Sequence, residues 1–205
     1  IVNERIVSYM HSLEKNNSQV LEQIEIEAHK DNVPIIRKEM ESFLRVILAI
    51  KKPKRILELG TAVGYSAILI SECLDEDGKI TTIENYEKRI PIARENFRRA
   101  GKADRITLIE GDAAEVLTEL TGEYDFIFMD AAKGQYIYYM PEVIRLLEHG
   151  GVLVSDNVLQ EGDIIESRFA VERRNRTIHA RMREYLYTLT HMPELQTSVM
   201  PIRII

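Results

Sequence analysis

The sequence predicts an α/β fold: a doubly wound, Rossmann-like sheet of parallel strands with helices on both faces, preceded by a helical cap. Two observations carry this. From Arg55 onward, short apolar runs alternate with helical stretches at the spacing of strand–helix–strand crossovers. Each glycine- or acid-rich motif directly follows one of those runs, which puts the motifs at the carboxyl ends of the strands, where doubly wound sheets bind ligands.

The elements follow in order. Residues 1–50 read as the cap, with three helical stripes: Ile6, Met10 and Leu13; then Val20, Leu21, Ile24 and Ala28; then Met40, Phe43, Leu44, Ile47 and Leu48. Pro34 separates the second stripe from the third. The strands expected next are Arg55–Leu59, Lys79–Ile83, Ile106–Glu110, Tyr124–Met129 and Gly151–Ser155. They are short and apolar, as strands covered on both faces are. Helices are expected over Tyr65–Leu74, Glu87–Ala100, Ala113–Leu120 and Ile137–Leu147, then one long polar helix over Ile165–Met192 and a last strand over Leu195–Ile202. The chain of 205 residues makes a single domain, with the core over 55–205.

The bulk numbers narrow the class. One cysteine, Cys73, excludes an internal disulfide and a cysteine-rich zinc site, and its place in a helical apolar pattern predicts a buried thiol. No apolar run reaches the ~20 residues of a membrane span. Ile1-Val2-Asn3-Glu4-Arg5 does not read as a signal peptide, so a cytoplasmic location is expected. The net charge of -6 argues by itself against a nucleic-acid partner.

The run Leu57-Glu58-Leu59-Gly60-Thr61-Ala62-Val63-Gly64-Tyr65-Ser66 reads as a strand, a glycine turn and a helix start. The dinucleotide fingerprint needs a glycine where this chain has Ala62, so NAD is disfavoured. No Gly-Lys-Ser/Thr follows, so a Walker phosphate loop is absent as well. Glu84 ends the second strand, where a carboxylate can accept from both hydroxyls of a ribose. Gly111-Asp112-Ala113 ends the third, where an adenine edge would lie, and Ser66 with the free N–H groups of a helix start can meet a carboxylate. A glycine turn, a ribose acid and an acidic turn fit S-adenosylmethionine, which carries no phosphate.

Asp130-Ala131-Ala132-Lys133 follows the fourth strand and Asp156-Asn157 the fifth. Two carboxylates and an amide at one rim form an all-oxygen set suited to a hard divalent cation such as Mg²⁺, with Mn²⁺ and Ca²⁺ accepting similar cages. Gln135, Tyr136, Tyr138 and Tyr139 come next. One or two of them are expected in a substrate pocket, although Tyr138 and Tyr139 also fit a helical core pattern.

On Leu57–Ser66, Ile83-Glu84, Gly111-Asp112-Ala113, Asp130-Ala131-Ala132-Lys133 and Ser155-Asp156-Asn157, the chain resembles the cation-dependent, S-adenosylmethionine-dependent O-methyltransferases, the group of the catechol and caffeoyl-CoA enzymes. The resemblance implies that Asp130, Asp156 and Asn157 are metal ligands and that Lys133, with Asp130, is catalytic, as base or as charge stabiliser. It implies cofactor binding by Glu58, Gly60, Thr61, Gly64 and Ser66 on the methionine side, Glu84 on the ribose, Asp112 and Ala113 on the adenine, and Asp130 beside them. It also implies a homodimer. The family closes its sheet with a glycine-turned antiparallel hairpin. Here Leu195–Pro201 passes into Ile202-Arg203-Ile204-Ile205 without a glycine, so the likeness fails at that sheet edge.

A chelating acceptor needs two neighbouring oxygens. A catechol has them, and so does 5-hydroxyuridine in a tRNA. Between Arg168 and Arg183 lie six arginines against one acid, Glu172. Arginine forks suit phosphate, so Arg173, Arg174 and Arg176, with Tyr136, are expected to meet substrate. The chain resembles the bacterial tRNA 5-hydroxyuridine methyltransferase branch in Asp130–Tyr136, Asp156-Asn157-Val158-Leu159, Glu172–Arg176 and Val33-Pro34-Ile35. A small catechol-like or phenylpropanoid-CoA-like acceptor stays open beside tRNA. Lys51, Lys52, Lys54 and Arg55 fall at the opposite rim, and the five histidines show no ligand spacing.

Overall fold

The structure, a computed structural model, describes residues 4–202. Three helices come first, α1 (Glu4–Ser12), α2 (Gln19–Lys30) and α3 (Lys38–Lys51). Then β1 (Arg55–Leu59), α4 (Tyr65–Glu72), β2 (Lys79–Glu84), α5 (Ile90–Arg99), β3 (Ile106–Glu110), α6 (Ala113–Glu119), β4 (Tyr124–Met129), α7 (Tyr136–Leu146), β5 (Leu147–Ser155) and α8 (Arg176–His191) follow. The sheet is five-stranded, in the order β3-β2-β1-β4-β5, and every pairing is parallel. Sequence order reverses between β1 and β4, which marks the ligand crevice of a doubly wound sheet.

Alternation along the central strands divides the core in two. Ile56, Phe126 and Phe128 face one way, onto Leu44, Leu48, Ile68 and Phe97. Leu57, Leu59, Ile127 and Met129 face the other, onto Leu117, Val143, Met182 and Tyr185. α4 is buried all round, from Tyr65 to Ser71. A helix without a polar face needs cover on both sides. The sheet lies beneath it, and α2 and α3 pack over it. The cap is therefore part of the core: Leu21, Ile24, Leu44 and Leu48 are fully buried, each side chain contributing ~1.5–3 kcal/mol of apolar burial.

Several expectations need correcting. In the first stripe Ile6, Met10 and Leu13 are exposed. α5 begins at Ile90, with Pro91 in its first turn, because a turn over Tyr86–Arg89 precedes it. β5 begins at Leu147: its register jumps from Tyr124↔Leu147 to Phe126↔Val152, so a bulge containing Gly150 at φ +76° interrupts the strand. The long helix over Ile165–Met192 is instead a kinked 3₁₀ segment (Gln160–Ile165), a short 3₁₀ turn (Arg173–Asn175) and α8. The Arg176 guanidinium donates to the carbonyls of Val171 and Phe169, acceptors that a continuous helix would use for its own N–H groups. Leu195–Ile202 forms no strand; it is tied by local bonds such as Thr197 Oγ1 to Leu189 O at 2.8 Å. Cys73 is half-buried, with its thiol 3.6 Å from Arg45 Nη1. Arg203, Ile204 and Ile205 lie outside the described residues. Among the described residues no helix is long and apolar enough to cross a membrane.

Candidate active site

The residue after four of the strands, β1, β3, β4 and β5, extends the sheet by one more hydrogen bond. Gly60 N–H donates to Ile83 O (3.1 Å), Gly111 to Glu84 O (3.0 Å), Asp130 to Leu59 O (2.9 Å) and Asp156 to Met129 O (2.9 Å). The motifs thus leave the sheet at one level and line one cavity of about 1550 Å³. That cavity takes in Gly60, Thr61, Ser66, Glu84, Ala113, Asp130, Lys133, Asp156 and Asn157 together.

The glycine turn is set by sterics. Gly60 sits at φ +97°, and a Cβ there would collide with the backbone carbonyl of Asp130. Gly64, at φ +84°, precedes α4, and a Cβ would strike the Phe97 ring; it does not line the cavity. Ala62 adopts φ +48°, the left-handed conformation that glycine would take more easily. Its N–H donates to Glu84 Oε2 at 2.7 Å, while Glu84 Oε1 accepts from the N–H groups of Asn85 (3.0 Å) and Tyr86 (2.9 Å). Three backbone donors fix this buried carboxylate, and its other lone pairs remain to accept from ligand hydroxyls.

Glu58 and Asp112 do not themselves line the cavity. Glu58 is fully buried beneath the cavity, accepting from Ser66 Oγ and Thr82 Oγ1, each at 2.5 Å. Thr82 and Thr61 hydroxyls meet at 2.6 Å. Since Thr82 gives its proton to Glu58, Thr61 is the donor of that pair. Glu58 thereby holds Thr61 and Ser66, which do face the cavity. Burial, aided by the charges of Asp130 and Glu84, pushes its carboxyl up to about 7. Asp112 caps α6, its carboxylate accepting from Ala114 N–H at 2.8 Å, and its neighbours Gly111 and Ala113 form the wall.

Lys133 begins a 3₁₀ turn (Lys133–Gln135) before α7. Its Nζ donates to Asp130 Oδ1 at 2.5 Å and to the Tyr136 hydroxyl at 3.0 Å. Tyr136 passes its own proton to Met129 O at 2.9 Å. It is fully buried, absent from the cavity wall and in contact with Lys133; burial drives its phenol far above the usual range. Tyr139 lines the cavity, and Tyr138 is exposed outside it. Burial raises the Asp156 carboxyl, and the charge of Asp130 raises it further. Among the described residues no three His, Cys, Asp or Glu side chains gather as a metal cluster; this set is two carboxylates and the Asn157 amide. Hard oxygen donors, with two carboxylates close enough to repel, fit a divalent cation.

Arg173, Arg174 and Arg176 do not line the cavity. Arg174 pairs with Glu172 at 2.7 Å, and Arg176 braces the preceding turn. They lie on the same stretch as Ile165, which does line it.

A family model described as O-methyltransferase matches residues 10–204. The chain belongs to this O-methyltransferase family. It is 34% identical over 128 residues to the catechol O-methyltransferase of Niastella koreensis, covering 60% of this chain and 58% of that protein. It is 36% identical over 147 residues to caffeoyl-CoA O-methyltransferase 1 of Arabidopsis thaliana, covering 67% of this chain and 55% of that protein. The matches thus span under two thirds of these relatives. The crystal structure of the O-methyltransferase from Bacillus cereus in complex with SAH superposes with a TM-score of 0.82 at 27% identity, over 92% of this chain and 86% of that one.

Some wall residues of this O-methyltransferase chain escaped sequence reasoning. Ile35, Arg37, Met40 and Phe43 bring the cap into the cavity, and Tyr65 and Arg89 complete the wall. Pro34 was legible only as a break; its second consequence, turning Ile35 and Arg37 over the strand ends, needs the fold. Tyr65 carried the clearer signal, being the first helical residue after the glycine turn.

Proposed function

We propose that this chain is an S-adenosylmethionine- and divalent-cation-dependent O-methyltransferase that methylates the 5-hydroxyl of 5-hydroxyuridine at the tRNA wobble position, giving 5-methoxyuridine. The observation that carries the activity is the convergence of Asp130, Lys133, Asp156 and Asn157 on the cavity that Glu84 and the Gly60 turn also line. Family membership and the SAH-bound relative support the cofactor.

When bound, the sulfonium cofactor supplies an electrophilic methyl group, and the cation lowers the pKa of an acceptor hydroxyl. Glu84 would accept from the ribose hydroxyls, Ala113 would lie by the adenine, and Thr61 and Ser66 would meet the methionine part. Asp130, Asp156 and Asn157 hold the cation. Asp130 stands between both groups, with its carbonyl against Gly60 and its carboxylate on Lys133. Of the three N–H bonds of Lys133, two are taken by Asp130 and Tyr136, leaving one for the acceptor oxygen. Held between a carboxylate and a phenol oxygen, Lys133 is positioned to steady charge on the acceptor oxygen. The acceptor oxygen would take the methyl group from the bound cofactor, whose sulfur would keep the electron pair as a thioether, the acceptor's proton would go to solvent, and the contribution of these residues would be mostly positioning.

The tRNA reading rests on the basic stretch Arg168–Arg183 beside Ile165. A second reading, a small catechol-like acceptor, is favoured by the names of the relatives and by the absence of Arg173, Arg174 and Arg176 from the cavity wall. Activity of the family type is tested by methyl transfer with and without a chelator. Asp156→Ala is expected to abolish the transfer that Mg²⁺ restores to the native chain. Near-normal, chelator-resistant turnover by the variant would remove the cation from the account.

A further inference from the structure

Two exposed aromatic rings near the cavity each carry an arginine. Phe169 is 85% exposed and Tyr138 56%. The Arg176 Cζ lies 6.0 Å from the Phe169 ring centroid, and the Arg181 Cζ 4.9 Å from that of Tyr138. Both guanidiniums are pinned by backbone carbonyls: Arg176 by Val171 (3.2 Å) and Phe169 (3.3 Å), Arg181 by Gly134 (3.1 Å). Both arginines sit on α8, so one helix carries both pairs. Each pair is linked along the chain to a wall residue: Gly134, which holds Arg181, directly follows Lys133, and Phe169 comes four residues after Ile165, which is itself 81% exposed.

We propose that Tyr138–Arg181 and Phe169–Arg176 form a stacking surface for the unpaired bases that flank the acceptor nucleotide in an RNA loop. The inference rests on the tRNA reading above and deepens it. A ring held from one side by a fixed cation keeps its other face for a second π-system. Sequence-tolerant recognition of single-stranded RNA combines aromatic rings, guanidinium planes and positive charge. The charge is present in Arg168 and Arg173, which are exposed and have no ion-pair partner among the described residues. The proposal also explains why the arginines lie outside the cavity: they meet neighbouring nucleotides, not the reacting base.

The test uses Phe169→Ala, Tyr138→Ala and the double variant of the full chain. Both rings are exposed, so folding should be preserved, and SAH affinity by calorimetry serves as the control. KM is measured for tRNA bearing 5-hydroxyuridine and, separately, for free 5-hydroxyuridine. The double variant is expected to raise KM for the tRNA by about tenfold or more, the scale of losing base stacking, and to leave the free nucleoside unchanged. A native chain that methylates tRNA while the double variant shows the same KM would overturn the stacking surface alone. Equal loss on both acceptors would also overturn it, as a purely structural effect. A native chain inert on tRNA but active on a catechol would remove the tRNA reading and the surface with it.

Discussion

Lys133 illustrates how one side chain depends on a chain of others. Its Nζ is fixed by Asp130 and by Tyr136, and the Tyr136 hydroxyl is fixed in turn by Met129 O. Tyr136→Phe removes one fixed partner without opening the cavity wall. The expected result is a fall in kcat of about tenfold, the scale of one hydrogen bond to a charged group, with the KM for S-adenosylmethionine unchanged. An equal change in both parameters would assign Tyr136 to general packing. Glu58 acts through pH. Burial pushes its carboxyl up to about 7 in the folded chain, above the ordinary 4.5 of an exposed glutamate. The folded state therefore holds a proton that the unfolded state has released. This favours folding fully below pH 4.5 and is lost as pH rises through about 7, a swing of about 3 kcal/mol. Glu58→Gln should flatten the melting temperature between these pH values. If the variant keeps the native slope, another group is responsible.

At the scale of elements, the β1–α4 turn is the tightest joint. Gly60 lies against Asp130, so the turn and the proposed cation ligand share one contact. Gly60→Ala imposes an unfavourable φ and a collision with backbone, and should destabilise the fold by about 1–3 kcal/mol or more in urea unfolding. Unchanged stability would mean the turn relaxes freely. The strands were legible because apolar runs bounded by turns leave little choice, and all five begin or end within a few residues of expectation. The β5 bulge was not legible, because Glu148-His149-Gly150-Gly151 carries no pairing signal that separates a bulge from a loop. The segment after Asn157 failed for a different reason. Gln160, Glu161 and Gly162 all take positive φ, and Arg side chains consume backbone acceptors, so local polarity that reads as helix surface folds into turns. The periodic signal begins only at His179, Met182, Tyr185 and Leu189, the buried stripe of α8.

At the scale of the molecule, the doubly wound parallel sheet was legible in the motifs at successive strand ends, while the strand order, with its reversal between β1 and β4, comes from the structure. Asp130 and Asp156, which the sequence reading set at one rim, line the cavity together, whereas which polar groups face inward was not legible. Glu58, Asp112 and Tyr136 resemble wall residues in a motif, but burial and capping turn them away from the cavity. Only the packed structure distinguishes a carboxylate that touches ligand from one that holds the residue that does. The cap shows the same limit, since its stripes are legible while its contribution of Ile35, Arg37 and Phe43 to the cavity is not. Given the acidic net charge, the proposed RNA substrate would be attracted only where the basic stretch Arg168–Arg183 lies. Such attraction is salt-dependent. The most direct measurement is methyl transfer from labelled S-adenosylmethionine, with Mg²⁺, to tRNA bearing 5-hydroxyuridine and to a simple catechol in parallel. The account predicts strong, chelator-sensitive labelling of the tRNA and weak labelling of the catechol. Fast catechol labelling with inert tRNA would contradict it and leave a small-molecule enzyme whose arginines are a solvated surface.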